Sequence, residues 1–297
     1  MEYFTKCNDD CNNEDFKTAK AKFKSVLTLN LENNLLTSRG INYLSMCTNL
    51  KNVRNLNLSN NNLGLDGVSL LLGDNYKMTK LTNINLSNTK IGLKAMEAFN
   101  LCKGFNMLKN IDLSYNNLGG GKTIKAFFSR AFLQLIESIN LDSTNLGAED
   151  MEAISHSVII PKIINLANNH IGPKGVEKLV NWQHIVSIVS LNLNNNKLGN
   201  EGFCNLLRYK LKNLETLNLD NNDIGDEGFE YFTQKVATYC KRLHILSFNG
   251  NNLSNKIFGF IVLSEMVNMT FKNLDMKNNP RITEEEEEYA FLGLKLK

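Results

Sequence analysis

A chain of 297 residues with 42 % hydrophobic side chains has ample material for a buried core. Its formal net charge of +3 is nearly balanced, so no strong field draws it to nucleic acid or to an anionic membrane surface. No apolar run approaches a membrane span, and the opening MEYFTKCNDDCNNEDFK lacks the apolar stretch of a secretory signal, so a reducing cytosol is the expected setting.

Residues 1–25 match nothing downstream. NNEDFKTAKAKFKS carries acids early and lysines late, the order that complements a helix dipole, and an N-terminal capping helix is predicted there. From Val26 one frame repeats: VLTLNLENNLL at Val26, VRNLNLSNNNL at Val53, LTNINLSNTKI at Leu81, LKNIDLSYNNL at Leu108 and IESINLDSTNL at Ile136. PKIINLANNHI at Pro161, IVSLNLNNNKL at Ile188, LETLNLDNNDI at Leu214, LHILSFNGNNL at Leu243 and FKNLDMKNNPR at Phe271 continue it. The ninth residue is Asn in eight units and Thr in two (Thr89 and Thr144), and successive ones lie 25 to 29 residues apart. Each unit offers a short strand such as Leu56-Asn57-Leu58, whose leucines point inward, then a turn and an apolar helical stretch such as GFEYFTQKVATYC. No unit buries its apolar side alone, so neighbours must stack. The Asn/Thr column is predicted to be a buried ladder in which side chains satisfy the backbone of adjacent turns.

The fourth unit contains NNLGGGKTIKAFF, which invites comparison with the phosphate-binding pattern G-x-x-x-x-G-K-[ST]. Gly121, Lys122 and Thr123 supply its second half, but the first glycine should fall at Asn116, the ladder residue. LGGGK also stands where other units have LGLDG, IGPKG, LGNEG and IGDEG, whose glycines serve the passage into the helix by positive φ or close packing. The stretch is therefore a repeat turn. The last unit departs from the frame at Arg281, and EEEEEYAFLGLKLK follows, with Thr283 placed to cap a final helix.

Little in the chain points to catalysis. His156, His170, His184 and His244 have no cysteine or carboxylate at metal-ligand spacing, and no serine sits in a G-x-S-x-G turn. Cys7, Cys11, Cys47, Cys102, Cys204 and Cys240 are scattered and form no disulfide framework. Neither a metal nor a cofactor is expected. Of four N-x-[ST] sequons, those at Asn57 and Asn85 fall on the face argued below to bind, where a glycan would obstruct it.

Residues between and just after the strand leucines are predicted to stand on the open face. The first column runs Asn30, Asn57, Asn85, Asp112, Asn140, Asn165, Asn192, Asn218, Ser247 and Asp275; the second begins Glu32, Ser59, Ser87, Ser114 and includes Asp142 and Asp220. Together they hold five acids against one cation, Lys277, although the chain is net positive. Candidate partner-binding residues are Glu32, Asp112, Tyr115, Asp142, Asn192, Asn218, Asp220 and Asp275, with Tyr115 as aromatic anchor beside Asp112. Basic clusters RYKLK and CKR lack interleaved stacking aromatics, which argues against RNA.

The pattern L-x-x-L-x-L-x-x-[NT]-x-L followed by LGxxG resembles the leucine-rich repeats of the ribonuclease-inhibitor-like subfamily over residues 26–283. The resemblance implies an α/β leucine-rich-repeat solenoid, a horseshoe with a parallel concave β-sheet and convex helices in about ten repeats. The layout expected is an N-terminal cap at 1–25, repeats at 26–283 and an acidic C-terminal segment at 284–297. The resemblance implies that the concave face covers and blocks a partner enzyme's active site; the chain itself is expected to be a non-catalytic monomer, and its acids call for a folded partner bearing a basic patch. The alternative is an adaptor that recruits without inhibiting. The glutamate block at Glu284–Glu288 followed by apolar residues also looks like the C-terminal export signal of type IV, Dot/Icm-type secretion substrates. That likeness implies synthesis in a bacterial cytoplasm and delivery to a host cytosol.

Overall fold

The structure is a computed structural model that describes residues 26–45, 47–73, 78–99, 105–120, 122–129, 134–209 and 211–283. The segments 1–25 and 284–297, with Cys7, Cys11, Cys102 and Gly121, lie outside the described residues.

The alternation of apolar and polar residues sets strands of three residues each: β1 (Thr28–Asn30), β2 (Asn55–Asn57), β3 (Asn83–Asn85), β4 (Asn110–Asp112) and β5 (Ser138–Asn140). After them come β6 (Ile163–Asn165), β7 (Ser190–Asn192), β8 (Thr216–Asn218), β9 (Ile245–Ser247) and β10 (Asn273–Asp275). All are parallel and follow one another in chain order, with the central residues in register, as in Leu29↔Leu56 and Leu191↔Leu217. This agrees with the α/β repeat architecture expected.

Between strands run the helices α1 (Ser38–Ser45), α2 (Gly64–Leu72), α3 (Leu93–Phe99), α4 (Lys122–Phe128), α5 (Ala148–Ser155), α6 (Gly172–Leu179), α7 (Gly199–Leu206), α8 (Asp226–Tyr239) and α9 (Lys256–Val262). The chain divides into two compact units: Met1–Asn145 with His156–Pro161, and Leu146–Ser155 with Lys162–Lys297. In the first, strand leucines and isoleucines pack on the helices around a T-shaped pair, Phe99 and Phe127, 5.6 Å apart. In the second, Phe248, immediately after β9, takes a position that is leucine in most units, and its ring lies 5.3 Å from both Phe203 and Phe229. Each such fully buried side chain contributes about 1.5–3 kcal/mol of transfer free energy.

The two glycines of LGxxG have separate duties. Gly199 has φ +59°, a left-handed turn that Gly64 and Gly172 share. Gly202 lies against the preceding coil, where a Cβ would come 3.0 Å from Pro173 Cα. Close helix-to-helix stacking therefore demands a bare backbone at that position.

The buried ladder forms as its composition predicted. Asn116 is 3 % exposed; its Oδ1 accepts the N–H groups of Thr89 (3.1 Å) and Ile91 (3.0 Å). Its Nδ2 donates to the carbonyls of Leu86 (2.8 Å) and Leu113 (2.9 Å). Asn251 repeats the pattern in the second unit, accepting from Asn222 and Ile224 and donating to Leu219 and Phe248. Thr89 supplies a donor alone, to Leu86 O at 2.6 Å, while its own carbonyl accepts from Leu63 and Gly64. Among the described residues, no buried side-chain nitrogen or oxygen lacks a partner.

Candidate functional site: the open strand face

A strand of three residues leaves its first and third side chains on one side and its second in the core. In β2, Asn55 and Asn57 are half-buried at the surface and Leu56 is 2 % exposed. The third-position column was identified from the sequence; the first-position column, Thr28, Asn55, Asn83, Asn110 and Ser138 in the first unit, was not. The two-residue period was the signal available, since a residue two before Asn57 must share its side.

The third-position side chains act first on their own backbone. From β1 to β8 each Asn or Asp Oδ1 accepts the N–H two residues on, at 2.8–3.1 Å, for example Ser59 N to Asn57 and Ser114 N to Asp112. Asn192 and Asn218 hold the turns at Asn194 and Asp220 in this way. Side-chain capping of this kind is the reason for an Asn or Asp immediately after a strand. The second predicted column is mixed in exposure: Glu32 and Lys277 stand out of the face as expected, and the expectation fails at Ser59, Ser114 and Ala167. Ser59, Ser114 and Ala167 are at most 4 % exposed, and Asp142 and Asp220 are half-buried.

The candidate acids therefore occupy different settings. Glu32 is exposed and accepts from Asn57 Nδ2 (3.3 Å) and Asn60 Nδ2 (3.2 Å). Asp112 accepts from Ser114 through Oδ1 and from Asn140 Nδ2 through Oδ2 at 3.0 Å. Asp142 accepts from Ser143 Oγ at 2.8 Å. Asp220 binds the next coil, taking Ser247 Oγ at 2.5 Å and Asn249 N at 2.7 Å. Asp275 faces Lys277 Nζ at 3.8 Å, so its charge is countered locally. Glu32, Asp112 and Asp142 belong to the first unit and Asn192, Asn218, Asp220 and Asp275 to the second.

Tyr115 follows the Asp112 turn and is 61 % exposed, with φ +56°. Its place in the unit is a left-handed column occupied elsewhere by Asn, Ser or Gly, as at Asn60, Asn88, Ser143 and Gly250. Asn and Gly tolerate that region, whereas a bulky side chain there is strained by about 1–2 kcal/mol. Tyr115 N donates to Asp142 O at 2.9 Å, which keeps the backbone in place.

The first-position column forms a rail of carboxamides in the first unit. Asn55 Nδ2 donates to Thr28 Oγ1 at 3.0 Å, Asn83 Nδ2 to Asn55 Oδ1, and Asn110 Nδ2 to Asn83 Oδ1. Above it lies an open groove of about 370 Å³, lined by this rail and by third-position residues from Asn57 to Asn140.

Among the described residues no group of three His, Cys, Asp or Glu could hold a metal ion, and no helix is long and apolar enough to cross a membrane. Cys47, Cys204 and Cys240 are in no disulfide. Burial pushes Cys240 up from 9.0 to about 12 and also raises Cys204. The thiolate is the nucleophile, so Cys240 and the buried Cys47 should resist an aromatic disulfide reagent at pH 8 in the native protein, while the unfolded chain releases all six thiols. Fast modification of Cys240 in the native state would contradict its burial. The unfolded thiol ionises first, so the stability this group contributes is present below pH 9.0 and is lost as pH rises toward about 12.

Comparison with known proteins agrees with this geometry. The family described as "Leucine Rich repeat" matches residues 49–72, 162–180, 184–203 and 210–232. No curated protein matches the chain significantly. Among solved structures, an internalin (inlF) from Listeria monocytogenes is similar at 15 % identity over 89 % of this chain and 87 % of its own, with a TM-score of 0.46. Human 5T4 (Wnt-activated inhibitory factor 1, trophoblast glycoprotein) is similar at 18 % identity over 82 % of this chain and 84 % of its own, with a TM-score of 0.52. With four segments matched by the family, ten parallel strands and a buried Asn or Thr ladder closing their turns, the chain has the leucine-rich-repeat fold.

Proposed function

We propose that this chain is a non-catalytic module that grips another folded protein with the open face of its strands and blocks the active site of a partner enzyme. The observation that carries the reading is Tyr115, an exposed aromatic kept in a strained left-handed conformation beside Asp112. Strain retained at a surface position marks function, and exposed tyrosines anchor interfaces. The rest of the face suits binding better than chemistry. Its amides and carboxylates are tied to one another and to turn backbone, so they are rigid before a partner arrives and lose little entropy on association. Five acids with one close cation favour a partner surface rich in lysine or arginine, where opposed charge speeds encounter.

The immobilised chain should capture one partner from host lysate or from extract of the producing bacterium. Added to that purified partner, it should abolish the partner's enzymatic activity at one-to-one stoichiometry. Tight binding with activity intact would replace inhibition by recruitment, the adaptor role. Delivery into a host cell through 284–297 belongs to the same reading. A reporter fused to the chain should reach host cytosol, and removal of those residues should stop it without changing partner affinity.

A further inference from the structure

The helix α9 carries apolar side chains on every side, yet part of it faces solvent. It reads KIFGFIV, apolar throughout after Lys256, whereas α5 to α8 interleave charged residues with apolar ones. A helix apolar all round belongs in an interior. Ile257 and Ile261 are buried and Phe258 and Phe260 are half-buried, but Val262 is 68 % exposed and the following Leu263 89 %. Among the described residues α9 packs on α8 and on the short turn Glu265–Asn268, and these leave Val262 and Leu263 uncovered. Lys256, exposed at its first turn, makes no ion pair among the described residues.

Hydrogen bonds between successive coils identify what comes to lie beside α9. Gly225 N donates to Asn200 Oδ1 at 2.7 Å, and α8 starts at the next residue. Ser254 N donates to Asp226 Oδ1 at 2.7 Å, and α9 starts two residues later. Thr283 N donates to Asn255 Oδ1 at 3.1 Å, and the chain continues as EEEEEYAFLGLKLK. The same link therefore brings each new segment in beside the start of the helix before it. Lys256, Val262 and Leu263 lie two, eight and nine residues beyond the linked Ser254; Glu285, Phe291 and Leu292 lie two, eight and nine beyond the linked Thr283. An acid thus falls level with the exposed lysine and two apolar residues level with the exposed apolar pair. We infer that residues 284–297 run along α9 and cover it, the glutamates against Lys256 and the apolar residues against Val262 and Leu263. The acidic segment that the delivery reading treats as a signal is then also held by the folded last coil.

Amide hydrogen exchange on the full chain tests this. Amides of residues 286–294 should exchange at least tenfold more slowly than in a free peptide of sequence 284–297. Leu263→Asp should remove that protection while the amides of β8 and β9 keep theirs, since the Leu263 side chain is exposed and supports nothing in the sheet. Lys256→Glu should speed exchange in the segment at least threefold, and adding Glu285→Lys should restore it. Exchange at the free-peptide rate in the unmodified chain, or protection that Leu263→Asp leaves intact, overturns the inference. Protection that rises with protein concentration, together with a dimer in sedimentation that Leu263→Asp dissolves, assigns the apolar face to a second copy of the chain and overturns it as well. Partner capture by the strand face should be unchanged in Leu263→Asp, so this inference and the proposed function stand or fall separately.

Discussion

Replacing Asn116 by Gly, which completes the phosphate-loop consensus with Gly121, Lys122 and Thr123, is expected to destabilise the protein severely and to create no nucleotide site. The Asn116 side chain accepts from two buried backbone N–H groups and donates to the carbonyls of Leu86, Leu113 and Ser114. A glycine leaves those groups facing one another across a gap. Each buried group left unpaired costs about 1–3 kcal/mol, and partial relaxation brings the total to about 4 kcal/mol. For a chain of this size that corresponds to a fall in melting temperature of roughly 10 °C. Asn116→Thr should cost about half as much, because Thr89 and Thr144 already stand at the same position in the flanking units and each donates to a carbonyl of its own unit at 2.6 Å. Urea unfolding of the three proteins checks this order. A loss below 1 kcal/mol for Asn116→Gly, or saturable ATP binding by that variant, would remove the ladder from the account of the turn.

The second large effect is expected at Tyr115 and has opposite signs for stability and for binding. Asn is the residue at this left-handed position in most other units, so Tyr115→Asn should relieve strain and raise stability by about 1 kcal/mol. The same change removes the exposed ring and should weaken partner binding at least tenfold, about 1.4 kcal/mol. Stability gained through lost function is the usual signature of a strained functional position. Asp112→Asn separates charge from structure beside it. Asn keeps the cap on Ser114 N, as Asn57 and Asn85 do in their units, so folding should be unchanged while association slows several-fold at low salt. Partner capture unaffected by Tyr115→Asn, despite the gain in stability, would move the anchor elsewhere.

Much of this molecule was legible in one dimension because a repeat restates its own rules. The leucine spacing dictates which side chains are buried, the Asn or Thr at the ninth place dictates the ladder, and LGxxG dictates a left-handed turn followed by close packing. Those features are local or act between identical neighbours, so period and residue type suffice to predict them. The broken phosphate motif was resolved in the same way, since Asn116 had to serve the ladder. What the face presents was decided by tertiary structure. The Asn or Asp that ends each strand from β1 to β8 folds back on its own turn, Asp142 and Asp220 are half-buried, and Asn55, Asn83 and Asn110 join side chain to side chain as a rail. Those side chains lie about 28 residues apart in the chain, and only the parallel stacking of strands sets them within hydrogen-bonding reach. Tyr115 shows the same division: its place on the face followed from the sequence frame, whereas the left-handed φ of +56° that strains it is a feature of the folded turn.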